Sequence, residues 1–138
     1  MSKAFVATED IDRPAETVWR LLTDWHRAPD WMSGVDSVRA ADGTTLRFVA
    51  RGRERVSEIT AVRDGESITL TSTQGRVRAD YTYSVTPTGE TSRAMLVAEV
   101  TAGGVWRPFA PILRALIRRT DGGQLAALKR LVEAEVSR

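Results

Sequence analysis

The sequence predicts an α+β fold: a curved antiparallel six- to seven-stranded sheet, two short helices after the first strand, and a long C-terminal helix packed across the sheet. Three observations predict it. Between residues 35 and 102 the apolar residues recur every second position, the period of a strand with one covered face. Before and after that region the period changes to that of an amphipathic helix. The stretches separating the candidate strands are too short to cross a sheet, so neighbouring strands run antiparallel as a meander.

The first strand is "KAFVATE", residues 3 to 9, with Phe5 and Ala7 on one face. Pro14 stands where a helix begins, since its fixed φ suits the first turn. Val18, Leu21, Leu22 and Trp25 then form one apolar stripe, which predicts a helix of about 12 residues. Ala28-Pro29 ends or redirects it, because a residue before proline avoids the α region. A second short helix or turn is expected around 26 to 32, and Gly34 closes the section.

Candidate strands follow at 35 to 40, 44 to 51, 54 to 62, 66 to 73, 76 to 86 and 92 to 102. They are separated by "ADG", "RGRE", "RDGE", "TQG" and "TPTGE", all of turn-forming composition. The clearest alternation is "VRADYTYSV". Val77, Ala79, Tyr81, Tyr83 and Val85 face a covered side; Arg78, Asp80, Thr82 and Ser84 face water. Leu46, Phe48 and Ala50 share a face of the second meander strand. In the last strand Leu96 is placed inward and Glu99 outward, although Met95 and Val97 make either phase apolar. From Arg107 the helical period returns. Phe109, Ile112, Leu113, Leu116 and Ile117 form one stripe; Leu125, Leu128, Val132 and Val136 form another. Asp121-Gly122-Gly123 between them marks a weak point or kink, because each interior glycine costs about 1 kcal/mol against alanine. With no repeat and no linker, residues 1 to 138 read as one domain.

Composition narrows the function. A hydrophobic fraction of 42% supports a core in 138 residues, and 28% charged residues without low-complexity runs excludes a disordered chain. The net charge is only +2, and the pI near 9.5 reflects a small excess of arginine plus lysine over acids, so no nucleic-acid partner is expected. The absence of cysteine excludes disulfides, thiolate nucleophiles and cysteine-ligated zinc. No signal peptide is visible. "VWRPFAPILRALI" is too short and too charged for stable membrane insertion. A cytoplasmic protein, monomeric or weakly dimeric, is the expectation. No nucleophile motif, phosphate-binding loop, dinucleotide fingerprint or zinc motif occurs.

The chain's one histidine, His26, lies in "DWHRAPDW" between Asp24 and Asp30. A metal site needs converging ligands, and no second histidine or any cysteine exists to supply them. His26 therefore reads as a surface residue at a helix-helix corner, and neither a metal nor a cofactor is expected. Arg51, Arg53 and Arg55 straddle a tight turn and are expected on one side, facing water; Arg118-Arg119 reads in the same way.

The order of elements and several motifs resemble the START/Bet v1-like (SRPBCC) superfamily, whose fold is called helix-grip. Within it the chain is most similar to bacterial polyketide cyclase/dehydrase-type lipid-transport proteins. "IDRPAETVWRLLTDWHRAPDW" carries most of the likeness, through Ile11, Pro14, Val18-Trp19, Asp24 and Trp31. "SEITAVRDGESITLTS" resembles the family's paired strands, and "PFAPILRALIRRTDGGQLAALKRLVEAEV" its closing helix. The resemblance covers essentially the whole chain. Its motifs specify the fold well and the chemistry poorly, since the superfamily spans carriers, receptors, cyclases and co-chaperones.

The resemblance implies a cavity between sheet and C-terminal helix that binds a small hydrophobic ligand, such as a lipid or a polyketide-like molecule. Trp31, Phe48, Ile59, Tyr81, Tyr83, Leu96, Phe109, Ile112, Leu113 and Leu116 are expected to line it, with the tyrosine hydroxyls orienting the ligand. Loops around 51 to 54, 74 to 76 and 103 to 108 are expected to gate it, with hinges at Gly75, Gly103 and Gly104. No catalytic residue is assigned. The alternatives are an aromatase/cyclase-like enzyme, which needs donors and an arginine turned inward, and a protein-interaction module with a filled interior.

Overall fold

The computed structural model describes residues 2–32, 35–50, 52–74, 77–102 and 123–134. The helix expected from residue 107, its continuity through Gly122, the residues Arg51, Gly75, Gly103, Gly104, Phe109, Ile112, Leu113, Leu116, Arg118 and Arg119, and most of the expected gating loops lie outside them.

Seven strands form one antiparallel sheet: β1 (Ser2–Ile11), β2 (Val35–Asp42), β3 (Thr45–Ala50), β4 (Arg53–Arg63), β5 (Ser67–Gln74), β6 (Val77–Thr88) and β7 (Thr91–Ala102). Their order is β1-β7-β6-β5-β4-β3-β2. Strands β2 to β7 are the expected meander, and β1 closes the far edge by pairing with β7 from Ser2↔Val100 to Ile11↔Ser92. The curved sheet, the short helices after β1 and the C-terminal helix make this the helix-grip architecture. Gly52 and Gly65, at φ +79° and +78°, turn the β3–β4 and β4–β5 hairpins in the left-handed region where a side chain is strained.

Helix α1 (Ala15–Leu22) starts after Pro14, whose carbonyl accepts from the amides of Thr17 and Val18 at 3.0 and 3.2 Å. It is shorter than the 12 or so residues that the apolar stripe suggests. The amide and the hydroxyl of Thr23 both donate to the Trp19 carbonyl, at 3.0 and 2.8 Å, and the next amide, of Asp24, turns to the Leu21 carbonyl at 3.3 Å, so the helix ends in a tighter turn. Pro29 has no amide to donate to the Trp25 carbonyl, and the chain tightens into a 3-10 helix over Trp25–Asp30. Trp25 thus opens the second helix instead of completing the stripe of the first.

Helix α2 (Gln124–Ala134) and α1 cover the β1, β7 and β6 side of the concave face. Ile11, Val18, Leu22, Leu96, Leu125, Leu128 and Val132 there are at most 1% exposed. Ala94, Leu96, Ala98 and Val100 are all buried, which fixes the phase of β7 with Glu99 on the convex side. At the end of α2, Arg13 donates to the Glu133 carbonyl at 2.7 Å and the Asp12 amide donates to the Glu133 carboxylate at 2.9 Å. These bonds tie the β1–α1 turn to the closing helix.

The convex face departs from the simple expectation of a wet side. Asp80 is only 5% exposed. It accepts from the Thr71 hydroxyl at 2.5 Å and from Arg78 Nε at 3.2 Å. Thr60–Thr71 and Thr69–Thr82 hydroxyl pairs, at 2.9 and 3.0 Å, continue the polar network across β4, β5 and β6. Neighbouring side chains cover a polar residue on a sheet face as effectively as a second layer would, provided its hydrogen bonds are made.

Candidate functional site: a cleft under the 3-10 helix

The other half of the concave face is not packed solid. Trp25, Ala28 and Met32, from the 3-10 helix and the turn after it, stand over Val35 and Val38 of β2, Leu46 and Phe48 of β3, Ser57 of β4 and Leu70 of β5. They enclose a partly open cleft with a cavity volume of about 50 Å³. One water needs roughly 10–15 Å³ of such space, so the cleft has room for a few water-sized groups. Among these lining residues only Ser57 carries a hydroxyl, and it is hydrogen-bonded to Ser72 at 2.6 Å. The walls are otherwise aliphatic or aromatic, the composition of a pocket for apolar ligands.

The expected lining residues fall into separate places. Phe48 lines the cleft. Trp31, Tyr83 and Leu96 are 3%, 2% and 0% exposed and belong to the packed core. Ile59 and Tyr81 are half-buried against that core. The Tyr83 hydroxyl donates to Gln124 Oε1 at 2.6 Å, linking β6 to the start of α2. Its ring meets Trp31 edge to face, with centroids 5.5 Å apart and an interplanar angle of 88°. The buried Trp31 Nε1 has no hydrogen-bond partner among the described residues. An unsatisfied buried donor costs about 1–3 kcal/mol, so this N–H is a place where a water or a ligand acceptor would be favourable.

The pairing of β3 with β4 corrects the expected side for the arginines. Leu46 pairs with Ser57, Phe48 with Arg55 and Ala50 with Arg53. Directly opposed residues share a face, so Arg53 and Arg55 lie on the concave side with the cleft residues Phe48 and Ser57. Arg55 is half-buried and Arg53 exposed. The signal was present in the sequence: the period of two that turns Ile59 inward also turns Ser57, Arg55 and Arg53 inward. Other cleft residues were harder to find. Val35 and Val38 line the same cleft three positions apart because β2 has a register shift between Val35 and Ser37.

His26 is exposed on the 3-10 helix. Among the described residues no group of His, Asp or Glu is placed to hold a metal ion, and no helix is long and apolar enough to cross a membrane.

Comparison with known proteins adds to this geometry. The sequence profile of the family described as polyketide cyclase / dehydrase and lipid transport matches residues 3–133. A START superfamily protein from Mycobacterium smegmatis has a TM-score of 0.72 at 20% identity, over 94% of this chain and 96% of that one. The di-domain ARO/CYC protein BexL of the BE-7585A biosynthetic pathway has a TM-score of 0.81 at 21% identity, over 96% of this chain and 47% of that one. A protein of Thermus thermophilus has a TM-score of 0.72 at 23% identity, over 96% of this chain and 98% of that one. At these identities the likeness is one of fold. Among curated proteins, none matches the sequence.

Proposed function

We propose, from the premise that this chain belongs to the polyketide cyclase/dehydrase and lipid transport family, that it binds a small hydrophobic molecule in the cleft under the 3-10 helix. The observation that carries the reading is the cleft itself. Among the described residues, two helices fill one half of the concave face, while the other half keeps an open apolar space. Burial of the ligand's apolar surface would supply most of the affinity, at roughly 25 cal/mol per Å². The cleft speaks against an interaction module with a filled interior. Non-covalent binding and carriage need no catalytic group, and none is assigned.

The test is titration of the purified chain with a neutral environment-sensitive dye such as N-phenyl-naphthylamine, together with native mass spectrometry of protein taken from its source. Saturable dye binding that Val38→Trp abolishes supports the reading. No saturable binding, with no co-purified molecule, overturns it.

A second reading, an aromatase/cyclase-like enzyme acting on a polyketide-type substrate, is favoured by one specific observation. The β3–β4 register sets Arg53 and Arg55 on the concave side, where a guanidinium is able to polarise a carbonyl. Recovery of a chemically altered ligand after incubation would support it; unaltered recovery favours carriage.

A further inference from the structure

Among the described residues that line the cleft, Ser57 alone carries a side-chain oxygen. It is buried in a row of otherwise apolar residues. Leu46 lies opposite it on β3; on its other side Ser72, its hydrogen-bond partner on β5, lies opposite Ala79 on β6, and Ala79 opposite Val100 on β7. Exchanging both partners of such a pair for apolar groups of similar shape can leave stability nearly unchanged, so packing alone does not call for two serines here. A count of hydrogens says what they offer. Each hydroxyl has one hydrogen and two lone pairs. The mutual bond, at 2.6 Å and with either oxygen able to donate, uses one hydrogen of the two. Neither hydroxyl makes another hydrogen bond among the described residues. When Ser72 donates, the hydrogen of Ser57 is left to the cleft, beside Leu46, Phe48 and Leu70, whose side chains hold no acceptor.

From this spare hydrogen we infer that the ligand is an uncharged molecule with a carbonyl oxygen, which accepts from the Ser57 hydroxyl while Ser72 donates to Ser57. This rests on the reading of the cleft as a ligand site. A carbonyl has lone pairs and no hydrogen. It therefore completes the chain from Ser72 to Ser57 to ligand with every hydrogen used. An alcohol brings a hydrogen of its own and leaves one over, whichever way the chain runs. A hydrocarbon leaves the Ser57 hydrogen against alkyl walls, where an unmade bond is costly. A carboxylate also accepts, yet no cationic side chain lines the cleft among the described residues, so nothing there offsets the loss of its hydration. Hydrogen bonds linked in a chain polarise one another, and a site shielded from water strengthens them. The alkyl part of the ligand then lies against Phe48 and Leu70, under Trp25.

The test uses the full chain and 2-octanone labelled with carbon-13 at its carbonyl, read by isotope-edited infrared spectroscopy. A carbonyl that accepts a hydrogen bond stretches at lower frequency than a free one. Bound to the wild type, the band is expected below its position in hexane; in Ser57→Ala it should return to that position. Displacement of N-phenyl-naphthylamine supplies the affinities. Ser57→Ala should weaken 2-octanone about fivefold more than it weakens 1-octene, which has no acceptor. A hexane-like band in the wild type overturns the inference and leaves the cleft standing as a ligand site. That reading needs no variant, so it holds even where Ser57→Ala folds poorly. A lowered band kept in a folded Ser57→Ala also overturns it. Octanoate binding about tenfold more tightly than 2-octanone overturns the choice of an uncharged ligand, and 2-octanol doing so overturns the choice of a carbonyl. Dye binding that 2-octanone does not displace overturns the inference alone. If neither dye nor ketone binds, the cleft reading falls and this inference with it.

Discussion

The two halves of the concave face are built from the same kinds of residue and come to opposite ends. On the β1–β7–β6 side, α1 and α2 press Val18, Leu22, Leu125, Leu128 and Val132 onto Leu96 and Ala98, and none of these is more than 1% exposed. On the β2–β5 side, the covering element among the described residues is a 3-10 helix with a proline inside it. Its six residues offer Trp25 and Ala28 to the sheet, and the space beneath them stays open. An α-helix lays down a continuous stripe that a sheet can match; a short 3-10 turn cannot. Solid packing and open space are thus divided between two kinds of cover over one curved surface.

The largest expected effect lies on the solid side. Leu128→Ala should cost about 2–5 kcal/mol, because the packed helices cannot collapse into the space it leaves. Chemical denaturation checks it. A loss below about 1 kcal/mol would mean that the α2 side is as loosely filled as the cleft side, and the contrast would break. Next comes the link between sheet and helix. Tyr83→Phe leaves Gln124 Oε1 buried without its 2.6 Å donor, at a cost of about 1–3 kcal/mol. Restoration of stability by adding Gln124→Leu would show that the hydrogen bond, and not the phenol ring, carries the effect.

On the cleft side the prediction concerns binding more than stability. Val38→Trp places an indole in space already open, so it should cost less stability than Leu128→Ala while lowering ligand affinity at least about tenfold, near 1.4 kcal/mol. Dye titration and denaturation on the same samples give both values. A variant that loses stability as Leu128→Ala does, or keeps its affinity, would erase the difference between the halves.

Legibility from sequence followed the same divide. The solid side was readable because its signals are periodic: Val18, Leu21 and Leu22 on α1, Leu125, Leu128 and Val132 on α2, and Ala94 to Val100 on β7. Tyr81 and Tyr83 were also placed correctly on the covered face. The cleft was less legible because it is made of interruptions. A register shift between Val35 and Ser37 puts Val35 and Val38 into one wall, and the end of α1 before Thr23 sets Trp25 on a roof instead of a stripe. The arginine side is hidden for another reason: a charged side chain suggests water, while parity sets it on the concave side. Ile59 and Arg55 are an even number of residues apart, and no register shift separates them.

A smaller effect concerns the sheet edge, outside both halves. Arg93 Nε donates to the Asp10 carboxylate at 2.8 Å across β1 and β7. That hydrogen bond and the guanidinium charge hold the Asp10 carboxyl below its ordinary value. A lowered carboxyl favours the folded chain above the unfolded-state pKa, and this contribution is lost as pH falls through the folded one. NMR titration should show Asp10 ionising below the usual carboxylate range, and Arg93→Ala should return it to that range. Both groups are largely exposed, so high salt should shrink the shift.

The smallest expected effect belongs to His26, chemically the most conspicuous residue in the sequence. It sits on the roof of the cleft, one position from Trp25, yet it is exposed while Trp25 faces the cavity. Successive residues of a 3-10 helix point about a third of a turn apart, so adjacency to a cleft residue does not bring the imidazole inside. Substitution of an exposed residue away from caps, strain and buried partners usually changes stability by less than about 0.5 kcal/mol. His26→Gln should therefore leave both the denaturation midpoint and the dye affinity unchanged. A loss of affinity approaching that of Val38→Trp would place the imidazole at the ligand and turn the roof of the cleft from cover into contact.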